Sequence, residues 1–325
     1  MFRSVVVHSL SNNFSDISIV SCERETINPD EVRVKVCSAS VNFPDLLMTS
    51  GLYQFKPEVP FTLGMESSGI VMEVGVEVED LNIDDEVIVS AFTGSFSEEL
   101  KVNQSKVRKK PSELNWEQAS TYTVAYLTAY VSLVTKGQLQ SGETLLVHGA
   151  AGGVGLAAVD IGKFLGAKVI AVASSKKKRD FLLSYGADFV LSPEKGFKDQ
   201  VKKITNNKGA DVIYDPVGGD VFDESIRCIA WNGRLLVVGF ASGRIPSIPA
   251  NMPLIKGFSV IGVRAGEYGR RSPQEGAEHF RMIDELISNG SLNPYIHKIY
   301  SLDQTVEALK ELRDRKVIGK VCINP

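Results

Sequence analysis

The sequence predicts an α/β protein of two domains, in which a β-rich segment precedes a doubly wound parallel sheet. Three observations predict this fold class. The chain has 325 residues, which exceeds the roughly 100–200 residues of one ordinary domain. Its first third contains short β-branched runs separated by Gly, Pro and Asn turns. Beyond Asn115, helical and strand patterns alternate up to about Phe258, as in a sheet covered by helices.

The composition is that of an ordinary globular protein. Hydrophobic residues make up 43% of the chain, charged residues 23%, and the net charge is -3, so no nucleic-acid footprint is expected. No run reaches the ~18 apolar residues of a membrane span, and the opening MFRSVVVHSLSNN becomes polar too early for a secretory leader. The cysteines are widely spaced, which favours reduced thiols. We expect a cytoplasmic protein.

In chain order, the β-rich segment contains strand patterns from Glu31 to Ser40 and from Ser68 to Val74, and a helical stretch runs from Asn115 through Val134. Five nearly unbroken apolar runs are then predicted as parallel strands buried on both faces: Glu143 to His148, Lys168 to Val172, Phe189 to Leu191, Asp211 to Asp215 and Arg234 to Gly239.

After Gly257 the sequence predicts a strand FSVIGV, a helix from about Pro273 to Ser288 and a terminal strand KVCIN. These elements are too few for a third core, so we expect the tail to fold back onto the first domain. The predicted domains are residues 1–125 with 259–325, and residues 126–258.

The first parallel strand runs into a glycine turn. A helix, LAAVDIGKFLG, and a strand, AKVIAV, follow it at once and complete a βαβ unit of about 30 residues. Backbone amides at a helix N-terminus can cradle a pyrophosphate. The candidate cofactor-binding residues are Ala151, Gly152, Gly153, Val154 and Gly155. The alternative is a tight strand-to-helix turn in an unrelated α/β protein. The context favours a Rossmann dinucleotide-binding domain.

The end of the next strand indicates NADPH rather than NADH. NAD-binding enzymes place a carboxylate there, whereas this chain has Ser174-Ser175 followed by KKKR. Cations oppose the positive end of a helix dipole, so a bound 2′-phosphate would relieve the conflict. Ser175 can donate a hydrogen bond, and Lys176 and Lys178 can supply charge. A solvated basic helix start is the alternative.

Several motifs together resemble one family. They are Ser40 to Asp45 (SVNFPD), Ser50 to Tyr53 (SGLY), Pro60 to Glu66 (PFTLGME), Val74-Gly75, Thr128 to Tyr130, HGAAGGVG and Gly319 to Val321. The chain resembles the medium-chain dehydrogenase/reductases, in particular the zinc-free quinone oxidoreductase or zeta-crystallin-like branch. The resemblance implies a GroES-like β-rich first domain, a cleft between the two domains, and a homodimer or higher oligomer, with an edge strand near Phe258 to Val263 as one pairing site.

The same resemblance implies that no catalytic zinc is bound. Zinc alcohol dehydrogenases of the superfamily have Cys where this chain has Asn42 and His where it has Met65. Neither replacement is a good zinc ligand.

The resemblance also assigns candidate catalytic residues. Asn42 would hold a substrate oxygen or a ribose hydroxyl, Asp45 lies nearby, and Tyr53 would donate a proton or stack. The alternatives are structural. Asp45 is placed to support a helix start, and the Tyr53 ring can pack against Phe55.

Further cofactor contacts are implied for Thr128, Gly239, Phe240, Ser242 and Lys320. Thr128 can instead bond its own helix backbone, and Lys320, like Arg315, can belong to an exposed basic patch. His148 ends the strand before the glycine turn and is expected to pack there rather than act as a base.

The expected activity is zinc-independent hydride transfer from NADPH to a quinone, a small-molecule partner. One alternative is reduction of the carbon–carbon double bond of an enone, alkenal or enoyl thioester. An alternative of another class is an NADPH-binding sensor or structural protein with little turnover.

Overall fold

A computed structural model describes all 325 residues, and they form two compact units. The first unit comprises Met1–Thr123 and Pro294–Pro325, and the second comprises Val124–Asn293. The sequence predicts the return to the first domain at residue 259. The structure makes this return later, because the strand after Phe258 pairs within the parallel sheet of the second unit.

The N-terminal part of the first unit is mainly β, as predicted. Its elements are β1 (Phe2–Val7), β2 (Ile17–Cys22), β3 (Glu31–Val41), α1 (Phe43–Thr49), β4 (Phe61–Thr62), β5 (Glu66–Val74), β6 (Glu86–Ser90), β7 (Glu99–Asn103) and β8 (Val107–Lys109). The next helix, α2 (Trp116–Tyr130), continues as a π-helical stretch, Val131–Lys136.

The second unit alternates strands and helices. Its elements are β9 (Thr144–Val147), α3 (Gly153–Phe164), β10 (Lys168–Val172), α4 (Lys176–Tyr185), β11 (Phe189–Leu191), α5 (Phe197–Ile204), β12 (Ala210–Asp215), α6 (Gly219–Ser225), β13 (Ile229–Val237), α7 (Asn251–Lys256), β14 (Ser259–Gly262), α8 (Ala265–Arg271) and α9 (Pro273–Ser288).

The chain then returns to the first unit. The returning elements are β15 (Ile296–Ser301), α10 (Thr305–Arg313) and β16 (Lys320–Asn324). β16 has the predicted bounds, whereas β15 and α10 are not among the predicted elements. No helix of the chain has both the length and the apolar character needed to cross a bilayer.

The second unit is built on a six-stranded sheet with the order β11-β10-β9-β12-β13-β14, and all its strand pairs are parallel. This is the doubly wound Rossmann order. Side chains such as Leu146, Ile170 and Leu235 are fully buried in it, as continuous apolar runs predict. The carboxyl ends of the adjacent strands β9 and β10 therefore lie side by side, where such sheets bind ligands.

The first unit contains a seven-stranded sheet in which β16 lies between β15 and β3. In its register, Ser40 pairs with both Cys322 of β16 and Glu66 of β5. Since successive residues of a strand alternate between faces, these polar side chains share one face. Their neighbours Val41 and Val321 belong to the hydrophobic core on the other.

Candidate functional site

The glycine turn joins β9 to α3. A Cβ atom added to Gly155 would lie 2.2 Å from the main-chain oxygen of Gly149, so the helix approaches the turn at a distance that only glycine permits. The first intrahelical bond runs from the Leu156 amide to the Gly152 oxygen at 2.7 Å. The amides of residues 153–155 thus have no acceptor within the helix. They are suited to bind an anionic group.

The basic segment begins α4 at the carboxyl end of β10. Ser175 is the N-cap, and its hydroxyl oxygen accepts a hydrogen bond from the Lys178 amide at 3.2 Å. The hydroxyl proton is not used in that bond. Lys176 lies on the surface and forms an ion pair of 2.7 Å with Asp180, which offsets part of its repulsion from the helix dipole. Lys178 is half-buried.

Sequence reasoning gave Arg179 no separate role, although its guanidinium reaches the end of β10. It donates to the main-chain oxygens of Ala173 and Ser174 at 2.9 and 2.8 Å. The arginine therefore fixes the turn that leads into α4. The run KKKR indicated cations here, but it did not distinguish this arginine from the lysines.

The loops after β12 and β13 are held together at the same edge of the sheet. The amides of Ala241 and Ser242 donate to the oxygens of Pro216 and Val217 at 3.0 and 2.9 Å. Gly239 follows the end of β13, and the Phe240 side chain is 38% exposed. The cofactor contacts predicted for Gly239, Phe240 and Ser242 stay predictions.

Thr128 and His148 both have local hydrogen-bond partners. The Thr128 hydroxyl donates to the Val124 oxygen of its own helix at 2.7 Å, which is the backbone bond named above as the alternative. His148 is fully buried, and its Nε2 lies 2.7 Å from the Ser225 hydroxyl. Burial lowers the pKa of His148 to about 3, so the ring is neutral at physiological pH. This environment favours the packing interpretation of His148.

A second polar cluster lies on the polar face of the first unit's sheet. Its members are Asn42, Glu66 and Lys320, all nearly or fully buried. The Lys320 ammonium lies 2.5 Å from Oδ1 of Asn42 and 3.1 Å from Oε1 of Glu66. The Asn42 amide nitrogen donates to the same carboxylate oxygen at 2.9 Å. We call these residues the lysine–carboxylate cluster.

Most of the hydrogen-bonding capacity of the cluster is used internally. The Asn42 amide nitrogen also donates to the Ser40 oxygen at 3.2 Å, and the ammonium contacts the Val41 oxygen at 3.4 Å. Both Asn42 amide protons and all three ammonium protons therefore have acceptors. Because Lys320 is only 7% exposed, the alternative of an exposed basic patch is wrong for it. A direct cofactor contact of Lys320 stays a prediction.

Asp45 is buried beside this cluster in the first turn of α1. Its Oδ2 accepts a hydrogen bond from the Asn42 backbone amide at 2.8 Å, so its helix-start role is present. Its Oδ1 is buried with no partner that satisfies hydrogen-bond geometry. Burial raises the pKa of Asp45 from 3.8 to about 7, although the Asn42 hydrogen bond and the Lys320 charge oppose the rise. A buried carboxyl is suited to hold a proton, because burial disfavours its charged form.

Tyr53 follows α1 in a loop and is half-buried, with its ring packed against the core of the first unit. The ring of Phe55 stacks on Phe92, with centroids 4.4 Å apart.

The structure brings three of the predicted site residues together, namely Asn42, Asp45 and Lys320. Glu66, which sequence reasoning did not assign to a site, joins them. Its only sequence signal is its place in the motif PFTLGME.

The lysine–carboxylate cluster does not fit a zinc ion. Met65 belongs to the hydrophobic core, and the Lys320 cation already neutralises Glu66 and engages the Asn42 oxygen. A second cation would meet electrostatic repulsion there. No group of three or more His, Cys, Asp or Glu side chains in the chain is arranged to hold a metal ion.

Two protein-family patterns match the sequence. The family described as alcohol dehydrogenase GroES-like domain matches residues 28–132, and the family described as zinc-binding dehydrogenase matches residues 153–284. Together they cover more than half of the chain. The second description names zinc binding, whereas the lysine–carboxylate cluster of this chain does not fit that metal.

Known proteins are similar over nearly the whole length. The quinone oxidoreductase-like protein 2 homolog of Nematostella vectensis is 43% identical over 304 residues, covering 92% of this chain and 83% of that protein. The Escherichia coli quinone oxidoreductase complexed with NADPH superposes with a TM-score of 0.92 at 28% identity, covering 99% and 100% of the two chains. The apo JamJ enoyl reductase superposes with a TM-score of 0.89 at 25% sequence identity, covering 100% of this chain and 99% of that chain.

Proposed function

Because this chain belongs to the medium-chain dehydrogenase/reductase superfamily, in its quinone oxidoreductase branch, we propose that it is an NADPH-dependent, zinc-independent quinone oxidoreductase. Its oxidoreductase character follows from the family. The cofactor choice, the quinone acceptor and the independence of zinc are the proposed parts.

One observation carries the proposal of NADPH. The glycine turn and the basic start of α4 follow β9 and β10, which are adjacent parallel strands. One ligand with a pyrophosphate and a further phosphate would engage the amides of residues 153–155 and the Ser175–Lys178 segment together. The NADPH complex of the similar Escherichia coli enzyme supports this choice.

When bound, NADPH would supply the hydride. The residues assigned to hold it are those of the glycine turn (Ala151 to Gly155), the start of α4 (Ser175, Lys176 and Lys178) and the loop after β13 (Gly239, Phe240 and Ser242), with Thr128 for the nicotinamide end. Their work is binding and orientation. None of them needs to transfer a proton.

We assign the acceptor side of the reaction to Asn42, Asp45 and Tyr53. A quinone that receives a hydride must also receive a proton to become a hydroquinone. Asp45 is buried and has a pKa of about 7, so a substantial fraction of it is protonated at neutral pH, as a general acid requires. Asn42 can accept a hydrogen bond from a hydroxyl, and Tyr53 would stack on the acceptor or donate the single proton in place of Asp45.

The proposal is tested by mixing the purified, chelator-treated protein with NADPH and an aromatic ortho-quinone, and following absorbance at the reduced nicotinamide band. We expect quinone-dependent oxidation that exceeds the rate with NADH. Oxidation of NADPH only after zinc is added would refute zinc independence. Binding of NADPH without turnover of any acceptor would favour the sensor or structural alternative.

A second candidate is reduction of a carbon–carbon double bond, and the similarity to the JamJ enoyl reductase favours it. This reaction needs a proton delivered to carbon, which makes it more dependent on a proton donor than quinone reduction is. Tyr53→Phe should therefore reduce enone turnover strongly and quinone turnover little. Preference of the wild-type protein for a simple enone over the quinone would promote this candidate.

A cytoplasmic location and a homodimer are further parts of the proposal. β14 supports the dimer, because it is an edge strand of the six-stranded sheet and exposes Val260. Light scattering coupled to size exclusion measures the mass directly. A monomer mass at micromolar concentration would refute the dimer.

A further inference from the structure

The lysine–carboxylate cluster contains a buried ion pair that the proposed reaction does not by itself require. Two charges lose their hydration when they are buried, so such a pair persists only where hydrogen bonds satisfy both partners. Here Glu66 has no exposed surface, and Lys320 is 7% exposed. We therefore expect the Lys320–Glu66 pair to have a functional role in addition to its contribution to the fold.

The geometry of the cluster fixes the Asn42 side chain in one orientation. The ammonium lies against the amide oxygen, while the carboxylate accepts from the amide nitrogen. A flipped amide would place its NH₂ group against the ammonium and its oxygen against the carboxylate. Both contacts would then be repulsive in a buried site.

This orientation decides which hydrogen bonds Asn42 can still make. Both amide protons are engaged, with Glu66 and with the Ser40 oxygen. The amide oxygen accepts from Lys320 and also faces the Asp45 backbone amide in the capping box of α1. Any ligand group that Asn42 binds must therefore be a hydrogen-bond donor, because Asn42 has no proton left to donate to a carbonyl oxygen.

We propose that Lys320 is a positioning residue, held by Glu66, that fixes Asn42 as a hydrogen-bond acceptor and so selects a ligand hydroxyl at this point. The inference rests on the proposed function, since hydroxyl groups are present on the ribose of NADPH and on a hydroquinone product. Lys320 acts through Asn42, because its own three donors point at protein oxygens.

The test uses the full-length protein and three variants. Asn42→Ala removes the acceptor. The double variant Lys320→Met/Glu66→Gln removes both charges, keeps a carbonyl oxygen for the Asn42 amide, and avoids leaving one charge buried alone. The triple variant combines these changes. Lys316→Met is the matched control, because that lysine is exposed.

Two ligands distinguish the source of the hydroxyl. Fluorescence titration gives the dissociation constant of NADPH, and product inhibition gives that of the hydroquinone. For one of the two ligands, we expect Asn42→Ala and the double variant each to raise the dissociation constant by about tenfold. This factor corresponds to the free energy of about one hydrogen bond. The triple variant should bind the ligand no more weakly than Asn42→Ala, because the Lys320–Glu66 pair acts only through Asn42.

Wild-type affinity of the double variant for both ligands would overturn the inference. So would a triple variant whose loss equals the product of the two separate losses, since independent effects multiply. Failure of the proposed function is separately visible. If the wild-type protein binds NADPH but turns over no quinone, the proposed quinone oxidoreductase function is wrong. The NADPH dissociation constants of the three variants still test the role of Lys320 in that case. If it does not bind NADPH, both are wrong.

Discussion

The ammonium nitrogen of Lys320 lies 3.1 Å from Oε1 of Glu66, although the two residues are 254 positions apart in the chain. The contact exists because β3 pairs with both β16 and β5. It ties the C-terminal strand to the N-terminal sheet through a buried charge pair. The consequences of this pair can be measured in both stability and binding.

Removal of one partner should be more harmful to stability than removal of both. We expect Lys320→Met to lower the free energy of unfolding by about 3–5 kcal/mol, because Glu66 is left as an uncompensated buried charge. Lys320→Met/Glu66→Gln should recover most of that loss. Urea denaturation measures both. Equal stability of the single and double variants would contradict this account, and Lys316→Met serves as the surface control.

The basic start of α4 should determine cofactor choice. We expect Lys178→Ala to raise the KM for NADPH by about tenfold or more, as loss of a charged hydrogen bond does, and to leave the KM for NADH nearly unchanged. Steady-state kinetics with both nucleotides provide the measurement. Lys208→Ala, an exposed lysine before β12, should change neither. Equal effects of Lys178→Ala on the two cofactors would exclude a 2′-phosphate contact.

The close approach at Gly155 should make this position intolerant of any side chain. A methyl group there would lie 2.2 Å from the Gly149 oxygen, so Gly155→Ala must displace the turn. We expect loss of measurable NADPH binding in a calorimetric titration. Gly262→Ala is the matched control, since a Cβ there meets no atom within 4 Å. Normal NADPH affinity of Gly155→Ala would refute the role of the turn.

Asp45 should give the protein a distinct pH dependence. Its pKa rises from 3.8 to about 7 on folding, so the folded state keeps a proton that the unfolded state releases between those values. Its stabilising contribution is therefore complete below about pH 4 and decreases as pH rises towards 7. Asp45→Asn should show a smaller loss of unfolding free energy between about pH 5 and pH 8. Parallel stability curves for the two proteins would contradict the shift.

Zinc should have no role in turnover. Because the Lys320 ammonium occupies the lysine–carboxylate cluster, we expect prolonged chelator treatment to leave NADPH oxidation unchanged and added zinc to give no activation. Elemental analysis of the dialysed protein checks the same point without reference to activity. One tightly held zinc ion per chain, lost together with activity, would show that the protein does bind a catalytic zinc and would refute this prediction.

Local sequence signals predicted much of the second unit. β10, β11 and α9 have the predicted bounds, because continuous apolar runs and helical periodicity are properties of the neighbouring residues themselves. β13 begins before the predicted strand and ends before Gly239. The elements β15 and α10 were missed, since their hydrophobic patterns are short and their order depends on packing in the first unit.

The sequence by itself determined the fold class, the glycine turn and the basic start of α4, since each depends on patterns of residues close together in the chain. The loss of the usual zinc ligands was implied by the family resemblance. Only the tertiary structure decided that residues 259–293 belong to the second unit and that Lys320 meets Glu66 and Asn42. Strand register is fixed by hydrogen bonds between distant segments, and a shift of one residue would have turned these side chains to the opposite face.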